Sequence, residues 1–195
     1  MIDPSEALQS LQQIERTESR SAQAHEYANS APGFMLWGVI WMVGYAGSDL
    51  IPRLTGNPQS INGLWTGLTI IGIAGSTIIG RRQHRAQDPE GYRAGRAMGL
   101  RWGATFAALW LFMITTFLVM RPANPMVSGA FVPLVVATVY AVFGIWKGLR
   151  FLFAGIAVAA LTLIGFFYLP QYFLLWMAAV GGGSLVLVGM WLRKV

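Results

Sequence analysis

Polar and apolar positions fall in long blocks along this chain. A polar stretch, residues 1–33, comes first, and apolar runs follow at 34–51, 63–80, 102–120, 127–146, 151–169 and 172–192. Crossing roughly 30 Å of hydrocarbon takes about 20 mostly apolar residues. The runs do not alternate with period two, as the strands of a membrane barrel would. Backbone groups in lipid must bond within their own segment, so the runs are predicted to be helices. The expected fold class is all-α: a polytopic membrane protein with six transmembrane helices and an N-terminal cytosolic amphipathic helix. Two parts are expected, a tail (1–33) and a bundle (34–195).

The prolines punctuate this layout. Pro52 and Pro58 are expected in the first connection, Pro122 and Pro125 in the third, and Pro170 in the fifth. Pro133 falls inside the fourth run, near its start, where a kink is more easily accommodated.

Composition agrees. Of 195 residues, 55% are apolar and 11% charged, against about 25% charged in soluble domains. That excludes an ordinary soluble enzyme and a disordered chain. The absence of cysteine excludes disulfides, thiolate metal sites and cysteine nucleophiles. The acidic, polar start does not read as a secretory signal peptide, so the first apolar run is expected to be an uncleaved span.

Charge location sets the expected orientation. The tail, the second and fourth connections and the C-terminus hold twelve Lys and Arg residues, against Arg53 and Arg121 on the other side. The positive-inside rule then places both termini in the cytoplasm. Trp37, Trp102, Trp146 and Trp191 fall near the predicted inner boundary, and Trp65, Tyr168 and Tyr172 near the outer one, as belt residues do. The expected location is the inner (plasma) membrane. Compactness and arginine-rich inner connections point to a bacterial origin.

In the tail, Asp3-Pro4-Ser5-Glu6 forms a helix start, with a cap, a proline at the first helical position and a glutamate three residues on. Ala7, Leu11, Ile14, Glu18, Ser21, His25 and Ala28 follow a 4-3 spacing. The tail has five carboxylates and two arginines, the wrong sign for an anionic leaflet. Three roles fit residues 5–28. They form a solvated lead into the first span, or pair with the arginine-rich second connection, or dock on a protein partner or a second copy.

That second connection carries Arg81, Arg82, Arg85, Arg93, Arg96 and Arg101. Such a cluster serves as a topology anchor, or contacts anionic lipid headgroups or a phosphate-bearing ligand. Nucleic acid is not expected, for want of a binding motif. Asp49 is the one ionisable residue inside a span, and Arg53 follows at helical pairing distance. The pair is either an interfacial ion pair or a cation or substrate contact at an outer vestibule.

Gly63, Gly67, Gly72 and Ser76 in the second run, and Gly181, Gly182 and Gly183 in the sixth, have the spacing of close helix packing. Gly181 to Ser184 faintly resembles the glycine-serine segment of the rhomboid intramembrane proteases. The span histidine that would activate the serine has no counterpart here, since His25 and His84 fall outside the runs. No catalytic, cofactor or metal motif is legible. The expected role is non-enzymatic: an accessory, regulatory or assembly factor acting through its cytosolic helix and membrane contacts. The alternative is a small oligomeric transporter or channel for a neutral or weakly charged substrate.

Overall fold

The structure, a computed structural model, describes residues 4–57, 59–84, 89–122 and 124–194. It is all-α, 94% helical. The first five helices are α1 (Pro4–Thr55), α2 (Ser60–His84), α3 (Pro89–Met120), α4 (Pro125–Lys147) and α5 (Leu149–Tyr168). The sixth segment, Pro170–Leu192, is composite. A 3-10 turn (Pro170–Tyr172) leads into α6 (Phe173–Trp176), a π-helical stretch (Met177–Gly182) and α7 (Gly183–Leu192). Among the described residues, six helices are long and apolar enough to cross a membrane: Ala24–Thr55, Ser60–Gln83, Gly99–Met120, Met126–Lys147, Leu149–Tyr168 and Pro170–Leu192.

Residue 33, the expected boundary between tail and bundle, lies inside a continuous helix. α1 is one helix of 52 residues. Its core-facing side begins at Tyr27 and continues through Ala31, Phe34, Ile40, Trp41 and Tyr45. Pro32 does not end it, since neighbouring helices hold its apolar face from both directions. Nor does Pro52 begin the connection: α1 runs past it to Thr55 and closes with a bond from Gly56 N–H to the Pro52 carbonyl at 2.9 Å. Gly56 has φ +66°, the left-handed cap that glycine adopts without strain.

The bundle is built around α1 and the sixth segment. Buried residues make up 39% of the most apolar stretch of each, but only 6% of that of α2 and of α3. α1 and the sixth segment run antiparallel and touch through glycine. A Cβ on Gly38 would lie 2.8 Å from the Gly182 carbonyl, and one on Gly189 would lie 2.9 Å from the Ala31 carbonyl. In lipid, where apolar surface has no reason to hide, such backbone approach is what holds helices together. α4 and α5 form a hairpin closed by Gly148, at φ +140°. There a Cβ on Gly155 would lie 2.6 Å from the Ala141 amide nitrogen.

Pro133 lies in α4 and is fully buried. With no N–H, it leaves the Gly129 carbonyl without its helical donor. The Tyr45 hydroxyl of α1 supplies that bond at 2.7 Å, so a proline inside α4 is tolerated because a neighbouring helix repairs it.

Candidate functional site at the basic end of the bundle

Several charged groups meet where α1 leaves the packed bundle. Glu26 of α1 pairs with Lys147 at the end of α4, at 3.0 Å. Gln83, near the end of α2, donates to the Asn29 carbonyl of α1 at 2.8 Å. The Arg150 guanidinium, in the first turn of α5, lies over the Tyr27 ring at 5.2 Å and the Trp191 ring at 4.7 Å. It also donates to the Trp191 carbonyl at 3.3 Å. Beneath this layer the Tyr27, Phe34, Tyr140, Phe143 and Phe151 rings pack together, with Phe34 and Tyr140 stacked at 4.6 Å. α1, α2, α4, α5 and α7 are therefore tied at one level, through polar groups on top and aromatic rings below.

Beyond this level α1 continues toward Pro4. Ile14, Thr17, Glu18, Arg20, Ser21 and His25 are exposed there. Thr17, Glu18, Ser21 and His25 line one open surface hollow. Glu26, one of the tail's carboxylates, pairs with Lys147 of the fourth connection, because α1 passes the α4–α5 turn there; the side chains of residues 84–98 in the second connection lie outside the described residues. Of the six arginines singled out, Arg81, Arg82 and Arg101 are exposed. Arg85 and the side chains of Arg93 and Arg96 lie outside the described residues.

Asp49 and Arg53 sit at the other end and form an ion pair at 2.7 Å. The carboxylate is 10% exposed and the guanidinium 63%, so the arginine covers the acid. Beside them the Trp65 indole N–H donates to Ser48 Oγ at 2.9 Å, and that hydroxyl donates to the Gly44 carbonyl at 2.7 Å.

The small residues divide. A Cβ on Gly72 would meet Trp37 and Ile40 at 2.8 and 2.9 Å, and Ser76 accepts from the Trp37 indole at 3.2 Å. Gly182 lies against Gly38 and Met42 of α1. Gly63, Gly67 and Gly183 face open space, and Gly181 faces only the end of the Met177 side chain. Within this chain α2 turns Gly72 and Gly75 toward α1, and Gly63 and Gly67 have no neighbour within contact distance.

Several threonine hydroxyls on the apolar helices bond back to their own helix. Thr66, Thr77, Thr105, Thr115, Thr138 and Thr162 each donate to the carbonyl four residues earlier, and Ser184 donates to Gly181 at 2.9 Å. Among the described residues, no buried side-chain nitrogen or oxygen is left without a partner.

Sequence reasoning missed the polar partners of the aromatic residues. Trp176 donates to the Leu161 carbonyl at 2.8 Å, with its ring against Gly165. The available signal was chemical: an indole or phenol in an apolar run needs an acceptor.

These features define a helical bundle with six helices of membrane-spanning length and a charged layer at one end. Comparison with protein-family models, with curated proteins and with solved structures finds no match.

Proposed function

We propose that this chain is a non-enzymatic accessory, regulatory or assembly factor of the bacterial inner membrane, with the basic end of its bundle in the cytoplasm. Continuity of α1 carries the reading. At 1.5 Å per residue its 52 residues make a rod of about 78 Å. One stretch of that rod is the packed centre of the bundle, and the other carries the exposed face from Ile14 to His25. A protein partner, or a second copy, that grips residues 5–28 pulls directly on the central helix. The charged layer at Glu26, Lys147 and Arg150 stiffens the exit point. The back-bonded span hydroxyls favour this role over a polar transport path.

Native mass spectrometry of protein gently extracted from its own membrane tests the proposal. The comparison is between the full chain and one lacking residues 4–22, which leaves Tyr27 and the core in place. A stoichiometric second protein, or a second copy, that is held by the full chain and lost on truncation supports it. A homo-oligomer indifferent to the truncation, or a monomer carrying a small molecule and no partner, overturns it in favour of the transporter or channel.

A further inference from the structure

We infer that Arg150, with Lys147 beside it, forms a binding site for the phosphate of an anionic lipid headgroup. Arginine offers five N–H donors in a planar fork that matches phosphate oxygens. One of them is given to the Trp191 carbonyl. The contacts with the Tyr27 and Trp191 rings fix the guanidinium without consuming donors. A long, flexible side chain is thereby held in place before any ligand arrives, which lowers the ordering cost of binding.

The surroundings favour a lipid as the source of the phosphate. Trp146 is 82% exposed and Trp191 43%, and exposed tryptophans beside a span end lie at headgroup level. The apolar surface of α5 runs away from Arg150 through the exposed Phe153 and Ile156, which suits an acyl chain. Lys147 supplies a second positive charge three residues earlier in the chain, across Gly148. Its side chain is 43% exposed and its partner Glu26 31%, so a phosphate can share Lys147 with that carboxylate. Arg193 and Lys194 follow Trp191 by two and three residues and are exposed. A headgroup bound here touches the layer that fixes α1, so lipid composition biases how firmly the exit of α1 is held.

The inference stands apart from the partner reading, because its test needs no second protein. The delipidated full chain in detergent is titrated with phosphatidylglycerol, and separately with phosphatidylcholine, and bound lipids are counted by native mass spectrometry. The expected result is a first phosphatidylglycerol held about tenfold tighter than phosphatidylcholine, whose phosphate is the same but whose choline cation is repelled by Arg150 and Lys147. Arg150→Gln removes most of that preference, and Arg150→Lys, which keeps the charge but not the fork, removes part of it. Arg121→Gln, at the other end, leaves it intact. Millimolar glycerol phosphate, which lacks acyl chains, fails to displace the lipid. Equal binding of the two lipids by the unaltered chain overturns the inference, and that arm needs no variant to fold. So does full preference in Arg150→Gln, or displacement by glycerol phosphate, which would assign the site to a free phosphate.

Discussion

Tyr45 donates its hydroxyl to the Gly129 carbonyl, the oxygen that Pro133 leaves without a helical donor four residues on. The two residues lie on different helices, yet each accounts for the other. Tyr45 is 3% exposed, so its hydroxyl is held inside the bundle against that carbonyl. Tyr45→Phe is expected to cost about 1–3 kcal/mol, the range for an orphaned buried acceptor. In a Pro133→Ala background the residue 133 N–H can serve Gly129, and the same change should cost less. A double-mutant cycle on unfolding in detergent measures the coupling; additive effects would refute the pairing.

The glycines should separate into two groups. Gly38, Gly182 and Gly189 stand where a Cβ would press on the backbone of the facing helix. Alanine there should force α1 and the sixth segment apart and cost about 1–3 kcal/mol, as overpacking does. Gly63, Gly67 and Gly183 have open space around them. Alanine there should be neutral or stabilise by up to about 1 kcal/mol, since glycine is the poorer helix former. Melting curves of the six single variants would decide; equal losses in both groups would contradict the packing described.

The Glu26–Lys147 pair is half exposed, and pairs of that kind contribute about 0–1 kcal/mol. Glu26→Gln should therefore change overall stability little. It should, however, speed amide exchange in α1 next to residue 26, where the pair ties α1 to the α4–α5 turn. Unchanged exchange there would mean that the pair does not restrain the exit of α1.

Orientation can be tested with single cysteines, because the chain has none of its own. Leu54, 82% exposed at the far end of α1, is expected to react with a membrane-impermeant thiol reagent added to intact cells when replaced by cysteine. Ile14, 53% exposed, is expected to be shielded until the membrane is opened. The reverse pattern would place the basic end outside.

Six helices of spanning length were legible because run length and charge clustering are local properties. Helix ends at proline were less so. Pro52 reads as a breaker, but the last turn of α1 continues through it to Thr55. Pairing of Asp49 with Arg53 was readable from spacing alone, since both lie on one helix. Which glycines face a neighbour was not readable. Small-residue spacing in α2 marks Gly63, Gly67, Gly72 and Ser76 alike, while the facing of α2, set by Trp37 and Leu36 of α1, turns Gly72 and Gly75 toward that helix. The charged layer was invisible for the same reason. Tyr27, Arg150 and Trp191 are remote in sequence, and only the antiparallel return of α7 brings them together.

The account rests on α1 being one rigid rod from its exposed segment into the core. Spin labels on cysteines at positions 14 and 39, both exposed in the structure, measure this in the full chain by pulsed electron-electron resonance. Twenty-five helical steps span about 38 Å. A narrow distribution centred near that distance, allowing for the label arms, is the expected result. A broad distribution, or one centred well below it, would show a hinge between the tail and the bundle, and a partner at the tail would then have no direct hold on the core.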